Sequence, residues 1–315
     1  MDKKLIVVAI GGNSLITDSK NISVKSQYDT ARESIRPIIK LIKDGHNVVI
    51  THGNGPQVGF ILRRAEYAKT ILHSVPLDSC VADTQGSIGY QIQMAICNEL
   101  AKEGIKRDVV TVVTQVEVDK NDPAFENPAK PIGSFMTKDE AEKQVKKEGW
   151  VVTEDANRGY RRVVPSPKPY DIVEYNVIKS LIDSNIITIA VGGGGVPVIR
   201  DEKGDLAGCE AVIDKDLATC LLAKRLNADM FVVSTAVPKA CINFGKPDQT
   251  ELDVLTIAQA EKYIGENQFG KGSMLPKVQA MVDFVRNTGN IGIITDPKHI
   301  ADAVYSDKIG TRFVK

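Results

Sequence analysis

No C-x-x-C pair occurs in this sequence, and only four histidines accompany five scattered cysteines, Cys80, Cys97, Cys209, Cys220 and Cys241. A zinc ribbon or a multi-histidine metal centre has no ligands at the required spacing. Cysteines used this way fit a reducing compartment, and a cytoplasmic location is expected. Neither sign of charge is in excess, since 40 basic residues balance 40 acidic ones. That argues against the basic stripe of a nucleic-acid binder and against an anionic membrane surface as partner, and leaves a small molecule as the expected ligand. The opening Met-Asp-Lys-Lys precedes a run of only six apolar residues, too short for a signal peptide or a membrane span. Repeats and low-complexity tracts are lacking as well.

What is present is alternation. Leu5 to Ile10, Val48 to Ile50, Val109 to Val113, Ile186 to Val191, Met230 to Val233 and Ile291 to Thr295 read as strands, the first five as short β-branched runs buried on both faces. Helical patterns lie between and after them, over Ser26 to Lys43, Gly86 to Lys102, Tyr175 to Asp183, Asp216 to Leu226, Ile257 to Tyr263 and Pro276 to Arg286. Strand and helix in turn predict an α/β fold, a three-layer α/β/α sandwich with a mainly parallel central sheet and right-handed crossovers. The interval from Glu117 to Pro169 breaks the pattern with prolines at 123, 128, 131, 165, 167 and 169, the basic cluster Arg158 to Arg162, and the only tryptophan, Trp150. So long a loop is not expected to be structureless, and it reads as a small protruding subdomain, a lid or an interface insertion.

Two loops of small residues each follow an apolar run: Ile10-Gly11-Gly12-Asn13-Ser14 and Thr51-His52-Gly53-Asn54-Gly55-Pro56. Glycine lets backbone approach a ligand, and a following helix start offers unpaired N–H groups, so both read as anion cradles. In Ala211 to Ala218, Lys215 stands beside Asp216 at a helix mouth. Alone, the pair reads as a solvated lysine and a carboxylate satisfying free N–H groups. Its company changes that reading. Lys277 follows a second loop into a helix, and Lys130 sits in the proline-stiffened Asn127 to Gly133. Positioned cations and backbone donors supply most of the catalysis in phosphoryl transfer. By contrast, Gly192 to Gly195 fails the dinucleotide spacing, Gly265 to Gly272 is a near miss of a P-loop, and His52 has no ligand partner at metal spacing.

The ordered motifs AIGGNSL (9 to 15), THGNGPQVG (51 to 59), TQGSIGY (84 to 90), PAKPIG (128 to 133), EDANRGYRRVVPSPKP (154 to 169), VGGGGVPV (191 to 198), AVIDKDLA (211 to 218) and KGSMLPKV (271 to 278) span nearly the whole chain. In them the chain resembles the carbamate kinases of the amino acid kinase superfamily. The resemblance implies reversible phosphoryl transfer between ATP with carbamate and ADP with carbamoyl phosphate, using Mg²⁺ carried by the nucleotide phosphates. It implies a homodimer, run toward ATP synthesis in carbamoyl phosphate and arginine catabolism. Gly11, Gly12, Asn13, Gly53, Asn54 and Gly55 would hold the phosphate and carbamoyl groups, and Lys130, Lys215 and Lys277 would neutralise them. Asp216 would orient the lysine pair. Lys215 and Lys277 would also touch the nucleotide, lying near Ala236, Phe244 and Met274.

The resemblance also implies one domain over 1–315, with a carbamate half over about 1–185, the subdomain over about 117–169 and a nucleotide half over about 186–315. Superfamily relatives place a lysine two residues before the Gly pair, where this chain has Ala9, and Lys130 is the candidate replacement. Asp83, Asn157, Gln268 and Ala236 depart from the family pattern. They leave open a carbamate-kinase-like protein with another acceptor or a nucleotide-sensing role.

Overall fold

The first strand shows how the sheet is built. Ile6, Val8 and Ile10 point into one apolar cluster, while Val7 and Ala9 point into another on the opposite face. A period of two with both sets apolar gives the unbroken hydrophobic run seen in the sequence. The computed structural model describes residues 2–11, 23–154 and 159–315.

The chain begins β1 (Leu5–Ile10), α1 (Val24–Lys43), β2 (Asn47–His52), α2 (Gly55–Ala68), α3 (Leu77–Lys102), β3 (Val109–Thr111) and β4 (Gln115–Val118). It continues β5 (Lys130–Met136), α4 (Lys138–Glu148), β6 (Val151–Glu154), β7 (Tyr160–Val164), β8 (Pro169–Ile172), α5 (Tyr175–Asp183), β9 (Ile187–Ile189), β10 (Val196–Arg200) and β11 (Leu206–Gly208). The last part is α6 (Lys215–Arg225), β12 (Met230–Ser234), β13 (Cys241–Ile242), β14 (Thr250–Glu251), β15 (Val254–Thr256), α7 (Ile257–Gly265), α8 (Met274–Thr288), β16 (Ile291–Thr295), α9 (Ile300–Tyr305) and β17 (Thr311–Val314).

Among the described residues the central sheet has eight strands in the order β15-β17-β16-β12-β1-β2-β9-β3. Its pairs are parallel except β16 with β17. Helices α1, α3 and α9 cover one face, and α5, α6 and α8 the other, which is the three-layer sandwich expected from the alternation. The six predicted strands all form, and so do the predicted helices, Tyr175–Asp183 with the expected ends and the others with one or both ends shifted. Helix α3 begins at Leu77, well before Gly86, and α2, α4 and α9 add to the set.

The proline-rich interval is folded. Strand β4 joins a four-stranded sheet in the order β11-β10-β4-β8, and β5, β7 and β6 make a separate antiparallel sheet to which α4 adds a helix. That small sheet is docked through Ile132 and Val164, which pack with Val58, Leu77, Val81, Val196 and Val212. Trp150 takes the Arg162 guanidinium over its ring at 4.8 Å. Lys69, just past the end of α2, pairs with Glu148 at the end of α4 at 2.5 Å.

Between β12 and α8 the rings of Phe231 and Phe284 meet edge to face at 5.5 Å with neither exposed. Phe231→Ala removes a buried ring and one half of that pair. Urea denaturation should show a loss of about 3–5 kcal/mol. A change under about 1 kcal/mol would mean that the surrounding side chains close the gap.

Candidate active site

The C-terminal ends of β1 and β2 lie side by side, with Ile10 opposite His52 and the Gly53 N–H donating to the Ile10 carbonyl at 3.0 Å. Gly11 and Gly53 therefore start two adjacent loops at one sheet edge. Gly12 and Asn13 lie outside the described residues. Asn54 is the residue before α2, yet its side chain does not cap the helix. It turns away and donates to Thr84 Oγ1 at 2.8 Å. Among the described residues, the first turn of α2 thus keeps N–H groups without a capping side chain, an arrangement suited to anions.

Behind this loop runs the turn Gly192 to Gly195, whose glycines are dictated by close approach. A Cβ on Gly192 would lie 2.4 Å from His52 Nε2, one on Gly193 2.2 Å from Asn54 Nδ2, and one on Gly194 2.5 Å from the Ile213 carbonyl. Gln85 fixes the turn by donating to the carbonyls of Gly192 at 2.9 Å and Thr114 at 3.0 Å. The glycine run is thus a packing joint between the Gly53 to Gly55 loop and the segment that enters α6, in keeping with its failed dinucleotide spacing. His52 is fully buried against it, and burial holds its imidazole down to about 4, with the neighbouring Lys215 adding to the effect.

Beyond that joint, α6 opens with Asp214-Lys215-Asp216. Asp214 caps the helix by accepting from the Asp216 N–H at 2.9 Å, and its second oxygen pairs with Lys130 Nζ at 2.5 Å. Asp216 is 2% exposed and holds two cations, Lys215 at 2.5 Å on one oxygen and Lys277 at 2.8 Å on the other. Burial alone would push the Asp216 carboxyl up, but the two ammonium groups override it and hold it below the usual carboxylate range. Burial pushes the Lys215 ammonium down, against the pull of Asp216.

Hydrogen bonds tie the surrounding frame together. Thr219 Oγ1 donates to the Lys215 carbonyl at 2.6 Å and shares a 2.7 Å hydroxyl contact with Thr51 of β2. Helix α8 is tied along α6 by Cys220 Sγ to the Ala280 carbonyl at 3.2 Å and by Lys224 with Asp283 at 2.5 Å, which brings Lys277 to its station.

The structure therefore gathers Lys130, Lys215, Lys277 and Asp216 from three separate elements, and seats the Gly53 to Gly55 loop across the glycine joint from them. Asp214 belongs to this cluster and was not singled out from the sequence. The signal was there: an Asp-Lys-Asp triplet in which the first carboxylate caps the helix and the second faces inward. The residues expected near a nucleotide lie on separate stretches. Ala236 follows β12, Phe244 stands exposed in the turn after β13, and Met274 opens α8 one turn before Lys277. Gln268, a departure from the family pattern, accepts from the Asn243 N–H at 2.9 Å and so anchors the Phe244 turn. Asp83 is exposed on α3, and Asn157 lies outside the described residues.

Comparison with known proteins agrees with this arrangement. The amino acid kinase family profile matches residues 4–296. A carbamate kinase from Oenococcus oeni is 50% identical over 303 residues, covering 95% of this chain and 96% of that one. The chain belongs to the amino acid kinase family, among its carbamate kinases. The carbamate kinase-like protein YahI of Escherichia coli is 48% identical, with 99% of each chain covered. The structure of carbamate kinase from Giardia lamblia bound to AMP-PNP superposes with a TM-score of 0.91 at 42% identity, again covering 99% of each chain.

His52 gives the site a pH dependence that can be measured. Its folded value near 4 lies below the ordinary 6.5, so the unfolded chain binds more protons as pH falls through that window, and folding stability drops with it. His52→Gln should flatten the slope of Tm against pH from 6.5 toward 4 in scanning calorimetry. An unchanged slope would assign the dependence to other groups.

Proposed function

We propose that this protein is a carbamate kinase that passes a phosphoryl group between carbamoyl phosphate with ADP and carbamate with ATP, running toward ATP. One observation carries the reading: three lysines converge on the α6 entrance beside an anion loop, and Asp216 alone faces two of them. The excess cation there suits a transferring phosphoryl group.

In the ATP-forming direction the bond between phosphorus and the carbamate oxygen breaks as an oxygen of the ADP β-phosphate bonds to phosphorus. The loosely bonded, metaphosphate-like group between them offers little covalent work, so fixed cations and N–H donors do most of the catalysis. Gly11, Gly12, Asn13 and the Gly53-Asn54-Gly55 loop hold the phosphate and carbamoyl end. Lys215 and Lys277, oriented by Asp216, bridge it to the nucleotide, which lies toward Ala236, Phe244 and Met274. Lys130 supplies the charge that Ala9 cannot. Mg²⁺ enters with the nucleotide phosphates: among the described residues no three His, Cys, Asp or Glu side chains converge, and the Asp214 and Asp216 carboxylates are engaged by lysines.

On this reading residues 1–185 form the carbamate half and 186–315 the nucleotide half, with the small sheet as a lid over both. Five unpaired cysteines support a reducing, cytoplasmic setting. A homodimer is supported by the free edge of the central sheet at β3, where Val113 and Tyr90 of α3 are 53% and 62% exposed beside Met94 and Cys97. A second reading, a different acceptor on the same machinery, is favoured by the kinship with a protein described as carbamate kinase-like.

Purified protein given ADP, Mg²⁺ and carbamoyl phosphate should form ATP. Nucleotide binding without ATP formation would favour the second reading. Lys215→Met and Lys277→Met should each lower kcat on the order of a hundredfold with little change in Tm. Near wild-type turnover in either would remove that lysine from the mechanism. Lys130→Ala should nearly abolish transfer while ADP affinity by calorimetry stays close to normal. At the β3 edge, Tyr90→Asp should shift sedimentation from dimer to monomer, and an unshifted dimer would place the interface elsewhere.

A further inference from the structure

Helix α2 crosses β5 with no room for a side chain between them. A Cβ on Gly59 would stand 2.1 Å from the Gly133 Cα and 2.5 Å from its nitrogen, where ordinary contact begins at 3.4 Å. Both neighbours are backbone atoms that no rotamer change can move aside.

The strand is anchored on both sides of the crossing. Before it, Lys130, Pro131 and Ile132 pair in register with Val164, Val163 and Arg162, and Ile132 is 1% exposed. At it, Gly133 takes φ +71°, the β5–β7 register shifts just beyond Ile132, and Arg161 donates to the Gly133 carbonyl at 3.1 Å. The crossing therefore lies one helical turn beyond Gly55 of the anion loop and three strand residues, about 10 Å, from Lys130.

We infer that the Gly59–Gly133 contact is a positioning pair that sets where the Lys130 ammonium stands relative to the anion loop at the start of α2. Any side chain at 59 drives β5 off α2 by more than an ångström, and Lys130 travels with its strand. A displacement of about that size at a reacting centre costs roughly a hundredfold in rate. The nucleotide half has no part in this crossing, so its affinity for ADP is unaffected. The inference rests on the role given to Lys130 above, and its test separates the two.

Gly59→Ala should lower kcat/KM for carbamoyl phosphate about a hundredfold, leaving the Kd for ADP and the dimer intact. The deciding measurement is a double-mutant cycle with Lys130→Ala, run at enzyme concentrations that resolve the residual turnover. If the glycines act by stationing Lys130, adding Gly59→Ala to Lys130→Ala should cost almost nothing further. Multiplied losses would mean general disruption and would overturn the inference, as would wild-type kcat/KM in folded Gly59→Ala. Full activity in Lys130→Ala would instead remove Lys130 from the mechanism, and this inference with it. Should Gly59→Ala fail to fold, Gly133→Ala serves the same cycle. There a Cβ has 3.8 Å to the Gly59 Cα, and the perturbation comes from the positive φ instead.

Discussion

A single buried carboxylate, Asp216, held between Lys215 and Lys277, is the interaction on which the rest of the site depends. Three charges taken out of water carry a large desolvation cost, and the positive end of α6 disfavours a lysine at its first position. Two aspartates offset both effects: Asp214 caps the helix, and Asp216 sits in its first turn where the dipole favours a negative charge. The triplet still lacks one negative charge. That surplus positive charge, held in place by the fold, suits an anionic group.

Holding that triplet requires the whole sandwich. The C-terminal ends of parallel strands converge at one edge, which is where open α/β sheets place ligands. Here β1 and β2 bring two loops to that edge, and the Thr51–Thr219 contact bolts α6 to β2 beside them. Lys277 arrives by helix packing, through the α6–α8 contacts at Cys220 and Lys224. The glycine joint at 192–195 closes the remaining gap, and its lack of side chains lets His52, Asn54 and Ile213 meet the same turn.

How much of this was legible followed from how local each signal is. Buried strands announce themselves by β-branched runs, and β1 and β16 came out with the predicted ends. Helix α2 is not expected from the sequence because Gly55, Pro56 and Gly59 depress helix propensity, and tertiary packing at Gly59 explains why a glycine stands there. The first turns of α3 were missed because Asp78, Ser79, Ala82, Asp83 and Thr84 carry little hydrophobic period, while Thr84 and Gln85 are buried for their hydrogen bonds to Asn54, Thr114 and Gly192. The lysines were visible as residues in stiff loops, but their convergence on Asp214 and Asp216 spans up to 84 positions of sequence. No local pattern carries that information. The small sheet was legible only as an interval too proline-rich for the main sheet and too long to be a loop.

The proposed exchange of a strand lysine for Lys130 would have a structural consequence. A cation at position 9 would be fixed by a deeply buried strand of the central sheet, since Val7, Val8 and Ala9 have no exposure at all. Lys130 instead reaches Asp214 from a separate antiparallel sheet, whose station depends on a glycine crossing, a small apolar cluster and the Lys69–Glu148 and Arg162–Glu66 pairs. The ion pairs are partly exposed and contribute little each, so the crossing and the apolar contacts set the position. On the role proposed for Lys130, placing the charge on a docked element makes transfer depend on docking. The Asp216 triplet, drawn from α6 and α8 alone, does not share that dependence.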